Sequence, residues 1–122
     1  MSTPRSSLKL ACAAAVVTAA FVVGAVALGM SAPSKAQMTA GKKVFASAGC
    51  GRCHTLTAAK SHGTVGPNLN TLKLSLAKIT NQVDQGGRFM PPFGADAGGS
   101  LSPTQVKSVA AFVFGAEHHM KM

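Results

Sequence analysis

The pentapeptide Cys50-Gly51-Arg52-Cys53-His54 restricts what this chain can be more than any other stretch. Two thiols three positions apart can lie on one side of a short turn, and an imidazole follows directly. This arrangement lets both sulfurs add to the vinyl groups of a porphyrin while the imidazole binds its iron. The stretch therefore predicts covalent attachment of one haem c, with its iron.

The N-terminal segment differs from the rest of the chain. Arg5 and Lys9 precede an uncharged apolar run over residues 10–30, and the small-residue pattern Ser34-Lys35-Ala36 follows. A basic start, an apolar segment and small residues at a cleavage point are typical of an export signal. The apolar run is also long enough to span a bilayer, so retention as a membrane anchor stays open.

These features predict two parts. Residues 1–36 are a signal peptide cleaved near Ala36, or an N-terminal anchor, and residues 37–122 form one domain. Cys12 lies at the start of the apolar run, whereas the lipid-bearing Cys of a lipoprotein follows such a run, so we assign it to the signal. In both cases the domain is extracytoplasmic, either periplasmic or on the outer face of the cytoplasmic membrane.

The charge of this domain bears on its partners. Residues 37–122 contain nine Lys and Arg but three Asp and Glu, a net charge of +6. Such a charge attracts anionic surfaces and says nothing about fold. An exported chain rarely meets nucleic acid, and no basic stretch is interleaved with aromatic residues. We expect acidic redox proteins or membrane redox complexes as partners, an anionic membrane surface as a further possibility, and a monomeric protein.

The first predicted helix precedes the pentapeptide. It covers residues 38–48, with Thr39 as its N-cap and Gly49 after its end. Gly41 and Phe45 are four residues apart and therefore share a face. Because Gly lowers helix propensity, we expect Gly41 to allow close approach of another helix.

A second and a third helix are predicted further along. The second follows apolar residues at helical spacing and stops at Gly86-Gly87, with Ser75 as its cap if it starts late. The third begins with Ser102, Pro103 and Gln105, which form a capping box. The apolar stripe of the second comprises Leu72, Leu76, Ile79 and Val83, and that of the third Val106, Val109, Ala110, Val113 and Phe114, with Phe112 beside it. We expect the third helix to pack across the Gly41 face of the first.

Two connections are not helical. Residues 55–70 are polar and rich in Gly, which predicts a loop, and no run of the chain has the period of a strand. Met90-Pro91-Pro92-Phe93 cannot continue a helix, because a proline disfavours the helical conformation of the residue before it. Met90 therefore lies on a stiff loop without an apolar stripe to join.

The haem iron needs a second ligand opposite His54, and in many cytochromes c that ligand is a Met thioether. The loop position of Met90 favours it over Met38, Met120 or a plain role as core filler. With both axial positions taken, no site remains for a substrate. The chemistry that remains is transfer of single electrons, and we expect a carrier rather than an enzyme.

Three motifs, taken together and in this order, resemble those of the class I cytochrome c family, the small monohaem cytochromes that include the cytochrome c6-like and other bacterial branches. They are Cys50-Gly51-Arg52-Cys53-His54, Gly66-Pro67-Asn68-Leu69 and Met90-Pro91-Pro92-Phe93, and the resemblance covers residues 38–116. It implies an all-α cytochrome c fold, with three to four helices around a covalently bound haem and the N- and C-terminal helices crossing.

The resemblance also assigns site residues. It implies that Cys50 and Cys53 carry the thioether bonds, that His54 and Met90 bind the iron, and that the carbonyl of Pro67 accepts a hydrogen bond from the second ring nitrogen of His54. The chain departs from the family in its paired prolines after Met90. It also has a tail, residues 117–122, without a counterpart in the family pattern, which we interpret as mobile.

Other interpretations of the two cysteines stay open. A disulfide is a common fate of paired thiols in exported proteins. A thioredoxin-like redox pair needs a strand before it and a helix after it, and here a helix is predicted before it. A zinc site would combine Cys50 and Cys53 with two of four histidines whose spacing fits no standard pattern, namely His54, His62, His118 and His119.

Four further side chains have both a functional and a plain interpretation. We expect His62 to be a solvated loop residue rather than an iron ligand, and we expect no more than adventitious metal binding from His118 and His119. Arg88 either pairs with a haem propionate or is a solvated charge.

The predicted function is that of an exported monohaem cytochrome that carries electrons between redox proteins, for example in a respiratory chain. The alternative is a haem-bearing subunit of a multi-component enzyme, such as a sulfur-oxidising or terminal oxidase complex. A small peroxidase is a third class, but it needs an open iron site, which ligation by Met90 denies.

Overall fold

Three α-helices form the framework of residues 31–122, the part of the chain that the computed structural model describes. They are α1 (Lys35–Ser47), α2 (Leu76–Gln85) and α3 (Pro103–Glu117). α1 and α3, the first and last helices, pack against each other, and α2 packs against α3. The prediction of a mostly helical fold in which the terminal helices pack together is confirmed. No helix within residues 31–122 is both long and apolar enough to cross a membrane.

The packing of α1 on α3 depends on Gly41. A Cβ at this position would strike the backbone carbonyl of Ser108 and would lie 2.8 Å from Cβ of Phe112. One turn further along α1, the rings of Phe45 and Phe112 meet edge to face, with 5.6 Å between centroids and 72° between planes. The predicted close approach at Gly41 is confirmed.

The start of α1 differs from the prediction. The side-chain oxygen of Ser34 accepts the N–H of Gln37 at 3.2 Å, and the side-chain oxygen of Gln37 accepts the N–H of Ser34 at 3.0 Å. This reciprocal capping box begins the helix at Lys35, so the assignment of Thr39 as N-cap is wrong. Thr39 instead donates to the carbonyl of Lys35 inside the helix. Cleavage near Ala36 stays a prediction, and the apolar run with Cys12 lies outside the described residues.

α2 takes the later of its two predicted starts. Ser75 is its N-cap and accepts a backbone N–H three residues on, so Leu72 lies outside the helix and is 37 % exposed. Ile79 and Val83 are buried as predicted. Gly86 follows the helix with φ of 71°, a conformation that glycine adopts readily.

α3 begins as the sequence indicates. Ser102 and Gln105 form the predicted capping box, with Pro103 at the first helical position. The aromatic ring at the crossing with α1 is Phe112, which is wholly buried, whereas Phe114 is half-buried. The buried apolar side chains of the helix are Val106, Val109, Ala110, Ala111, Phe112 and Val113.

The first two residues of the C-terminal segment, Glu117 and His118, contact the rest of the domain. Glu117 is the last residue of α3 and is wholly buried, and its carboxylate accepts the N–H of Leu74 at 2.9 Å. The ammonium of Lys73 donates to the backbone carbonyl of Glu117. The ring of His118 packs on Phe114, with 4.2 Å between centroids. The interpretation of residues 117–122 as mobile is therefore wrong for its first two residues.

Two short strands occur in the region predicted as a loop. β1 (Thr55–Leu56) and β2 (Ser61–His62) pair antiparallel, with Thr55 opposite His62, and a turn of 3₁₀-helix, Thr57–Ala59, connects them. Strands of two residues are too short to produce an alternating pattern, which explains why the sequence did not indicate them.

Candidate haem-binding site

The pentapeptide forms a tight turn directly after α1. Gly49 has a φ of 75° and redirects the chain into a short 3₁₀-helix, Cys50–Arg52. The backbone carbonyl of Cys50 accepts the N–H groups of Cys53 and His54 at 3.2 and 3.1 Å. Both cysteines are free, Cys50 half-buried and Cys53 exposed. The turn thus presents two unpaired thiols, and no disulfide joins them.

The surroundings of the Cys50 thiol disfavour its charged form. Burial raises the pKa of the Cys50 thiol, a backbone hydrogen bond lowers it, and the neighbouring Cys53 raises it. Reactive cysteines of redox pairs instead have a lowered pKa. The helix α1, rather than a strand, also precedes the pair. Both observations argue against a thioredoxin-like site.

His54 is held by the second predicted motif. Its Nδ1–H donates to the carbonyl oxygen of Pro67 at 2.9 Å, the contact that the resemblance implied. This bond selects the tautomer whose Nε2 carries the free lone pair. A Cβ on Gly66 would lie 2.5 Å from Cε1 and 2.8 Å from Nδ1 of His54, so only glycine fits against the ring.

Residues 61–66 contact the backbone of the pentapeptide turn. The hydroxyl of Ser61 donates to the carbonyl of His54 at 2.9 Å, and the N–H of Gly66 donates to the carbonyl of Cys53 at 2.7 Å. A Cβ on Gly63 would lie 2.5 Å from the carbonyl carbon of Cys53. β2 and the residues after it therefore hold the pentapeptide in one conformation.

Met90 lies on a loop that is tied back to the end of α2. The N–H of Gly87 donates to the carbonyl of Met90 at 2.8 Å, and a Cβ on Gly86 would lie 2.6 Å from the same carbonyl oxygen. Met90 is half-buried against the core. Met38, by contrast, is 2 % exposed and sits against Gly115 of α3. Met90 is therefore the more accessible of these two thioethers.

Apolar side chains on the two motif loops fit a large flat apolar group. Val65 precedes the Gly66-Pro67 motif and is 76 % exposed, and Phe89 precedes Met90 and is 83 % exposed. Leu69 and Leu74 are half-buried at the edge of the core. Val65 and Phe89 thus leave apolar surface on both loops that a haem could cover. Together with two free thiols and an oriented imidazole, these residues fit a covalently attached haem.

The other predicted candidates lie apart from these contacts. His62 is exposed on β2, as expected. The guanidinium of Arg88 stacks over the ring of Phe89, 5.1 Å from its centroid, and its pairing with a haem propionate stays a prediction. No group of three or more His, Cys, Asp or Glu side chains in residues 31–122 could hold a metal ion, so a zinc site has no support there.

Sequence reasoning missed one residue at the site. The side-chain Nε2 of Gln82 donates to the sulfur of Met90 at 3.9 Å. Gln82 lies on α2, and its backbone carbonyl also accepts the N–H of Gly86. Gln82 belongs to no recognisable motif. Its only signal in the sequence is its position on the second predicted helix, four residues before Gly86.

The fold and the site define a class I c-type cytochrome, and two comparisons with known proteins agree. Residues 36–113 match the family described as cytochrome c oxidase, cbb3-type, subunit III. The crystal structure of the c-type cytochrome SorU from Sinorhizobium meliloti is 28% identical with a TM-score of 0.61, over 68% of this chain and 93% of that chain. No curated protein matches.

The chain belongs to the family that this match describes, because the match covers more than half of it. It is a monohaem c-type cytochrome with a covalently bound haem c, and its function is haem-based electron transfer.

Proposed function

We propose that this chain is an exported carrier of single electrons whose haem iron is bound by His54 and Met90. The observation that carries the proposal is the hydrogen bond from Nδ1 of His54 to the carbonyl of Pro67, which leaves Nε2 as the only ring nitrogen able to bind a metal. When bound, the haem supplies a one-electron iron couple, and the protein sets its orientation and potential.

Each residue of the site then has one role. Cys50 and Cys53 form the thioether bonds, and Pro67 holds the imidazole of His54 in one orientation. A thioether ligand such as Met90 raises the potential of the iron couple. With His54 and Met90 as its two protein ligands, a haem iron would have no position left for a substrate, which supports a carrier rather than an enzyme.

The optical spectrum of the purified holoprotein tests this ligand pair. We expect a low-spin c-type spectrum, with the weak red-edge band of iron bonded to Met sulfur in the oxidised form. Met90→Ala abolishes the band, whereas the control Met122→Ala, at the exposed C-terminus, retains it. A high-spin or bis-imidazole wild-type spectrum would contradict the proposal.

The proposal extends to an acidic redox partner. Lys42, Phe45 and Arg52 are among the residues that line a groove beside the haem-attachment turn. Redox partners form small, transient complexes whose association depends on charge. A partner that places carboxylates against Lys42 and Arg52 would bring its redox centre close to the thioether edge.

Salt dependence and charge removal test this surface. We expect the second-order rate of electron transfer with the physiological partner to fall as ionic strength rises, because salt screens exposed charges. Lys42→Gln and Arg52→Gln reduce the rate at low salt, whereas Lys107→Gln, an exposed position on α3 that does not line the groove, changes it little. Equal effects of all three variants would contradict docking at this groove.

The family gives specific support to a second candidate, a haem-bearing subunit fixed in a multi-component enzyme. The matched family is named after a subunit of an oxidase complex. Purification of the tagged full-length chain from its own cells separates the two proposals. A monomer supports the carrier, and stable co-purification with a catalytic subunit supports the alternative. The intact mass of the same sample shows whether the N-terminal segment is removed, as export with cleavage requires.

A further inference from the structure

The loop that carries Pro67 is bonded along the haem-attachment turn and β1. Before Pro67, the N–H of Gly66 donates to a carbonyl of the attachment turn at 2.7 Å. After it, the N–H of Leu69 donates to a carbonyl of β1 at 2.9 Å. The bond from Nδ1 of His54 to the carbonyl of Pro67 lies between these two contacts. The position of that carbonyl therefore depends on how firmly the loop is held on both sides.

Asn70 adds a further contact to this loop through its side chain. Its Oδ1 accepts the backbone N–H of Thr57, directly after β1, at 3.0 Å. Its backbone N–H and its Nδ2–H both donate to Oδ1 of Asn68, at 3.0 and 2.8 Å. Each of the two amide oxygens thus faces a backbone donor, which fixes the orientation of both amide groups. Asn70 therefore joins the loop to the chain after β1 and also bonds to the residue directly after Pro67.

The donor at Thr57 bonds outward because this residue begins a turn of 3₁₀-helix. The first N–H groups of a helix have no partner within the helix and need one elsewhere. Asn70, which meets this need, is half-buried. Pro67, by contrast, is exposed, and as a proline it has no N–H with which to bond the loop. The carbonyl of Pro67 is therefore kept in place by its neighbours, Asn70 among them.

We propose that Asn70 is a positioning residue for the axial imidazole, which holds the carbonyl of Pro67 against Nδ1–H of His54. The inference rests on the proposed ligation of iron by His54. A hydrogen bond from the second ring nitrogen fixes the orientation of the imidazole and makes it a more basic ligand. Loss of the Asn70 contacts weakens this bond, so the Nδ1 proton meets solvent more often. Because a less basic ligand stabilises oxidised iron less, the midpoint potential rises.

Asn70→Leu tests this role, because it removes the side-chain contacts at similar side-chain size. The first measurement is the rate at which the Nδ1 proton of His54 exchanges with solvent, followed by NMR in the reduced holoprotein. We expect exchange about two- to tenfold faster, the factor that corresponds to the net contribution of one hydrogen bond. The second measurement is a redox titration, in which we expect a higher midpoint potential. Asn81→Leu, at an exposed position on α2, is the matched control and should change neither value.

Thr57→Pro tests the same contact without changing Asn70. Proline removes the donated N–H, and its fixed φ suits the first residue of a 3₁₀-helix. Leu56 before it has an extended backbone, with φ of −149° and ψ of 112°, which a following proline accepts. We expect faster exchange and a higher potential, as for Asn70→Leu. Adding Thr57→Pro to Asn70→Leu should change neither value further, since the contact between the two residues is already lost.

The outcomes separate this inference from the proposed function. Reduced stability of Asn70→Leu with unchanged proton exchange and unchanged potential would show a purely structural residue, which overturns the inference and leaves ligation by His54 and Met90 intact. A further change on adding Thr57→Pro to Asn70→Leu overturns it as well. The same NMR spectra show whether the ring protons of His54 have the large shifts of an iron-bound imidazole. Absence of these shifts in wild type overturns both proposals.

Discussion

The carboxylate of Glu117, wholly buried at the end of α3, accepts a hydrogen bond from the backbone N–H of Leu74 at 2.9 Å. Its second oxygen, Oε1, has no hydrogen-bond partner among residues 31–122. Lys73 donates to the backbone carbonyl of Glu117, and the ring of His118 lies near the carbonyl of Leu74 at 3.4 Å. The loop that precedes α2 is therefore fastened to the C-terminal end of α3.

This contact makes the stability of the protein depend on pH. Burial raises the pKa of the Glu117 carboxyl, against the opposing effects of the Leu74 N–H, His118 and Lys73. A raised folded-state pKa contributes stability that is complete at acid pH and is lost as pH rises through that pKa. We therefore expect wild type to lose stability relative to Glu117→Gln as pH rises above about 4.3, the ordinary pKa of a glutamate carboxyl.

Chemical unfolding of the holoprotein across this pH range measures the effect of Glu117. Asp96→Asn is the control, because Asp96 is exposed in a short 3₁₀ turn. It should leave the pH profile of wild type unchanged. A difference between wild type and Glu117→Gln that stays constant with pH would show that this carboxyl does not titrate differently in the folded state.

Gly66→Ala should disturb the imidazole of His54. The new Cβ would lie 2.5 Å from Cε1 of the ring, so the ring or the loop must move. Overpacking of this kind costs about 1–3 kcal/mol, and we expect a change in the ligand-sensitive optical bands as well. Unfolding and the spectrum of the same sample measure the two effects.

Gly98→Ala provides the comparison for Gly66→Ala. Gly98 has a φ of 93° and nothing within 4 Å of an added Cβ, so alanine there is strained but touches nothing. We expect a loss of about 1 kcal/mol with an unchanged spectrum. Unchanged optical bands in Gly66→Ala would mean that the ring tolerates the methyl group.

Gly41→Ala tests the packing of α1 on α3. The added Cβ meets the carbonyl of Ser108 and Cβ of Phe112, neither of which is the end of a flexible side chain. We expect a loss of about 1–3 kcal/mol or more in unfolding free energy, despite the higher helix propensity of alanine. Ala40→Val, on the exposed face of the same helix, should cost only about 0.5 kcal/mol. Similar losses at both positions would exclude close packing as the cause.

Ser34→Ala should weaken the start of α1. The substitution removes the acceptor for the N–H of Gln37, and loss of such a cap costs about 1 kcal/mol. A domain that begins at Gln37, as cleavage after Ala36 would produce, lacks the same cap. It should be less stable than a domain that begins at Ser31 by a similar amount, measured by chemical unfolding. Equal stability of the two domains would show that the capping box contributes nothing.

Some features could be predicted because they depend on residues close together in the chain. In the pentapeptide turn, the carbonyl of Cys50 accepts the N–H groups of Cys53 and His54, three and four residues on. Ser102 and Gln105, three residues apart, cap α3. The capping box at the start of α1 is equally local, since Ser34 and Gln37 are three residues apart. Ser34 also belongs to the pattern Ser34-Lys35-Ala36, which is typical of a cleavage site. There, two local patterns overlap in one stretch, and the sequence alone does not show that Ser34, rather than Thr39, begins the helix.

By itself, the sequence determined the haem-attachment turn, the three helices and the loop that carries Met90, because short-range capping, glycine conformation and proline geometry act within a few residues. Only the tertiary structure decided that Gln82 meets the sulfur of Met90, eight residues away, and that Glu117 is buried against Leu74, 43 residues away. Such contacts depend on how the helices and loops pack, and a distant partner leaves no periodic signal in the chain. For the same reason, the contact of His54 with Pro67 could be expected only from family resemblance.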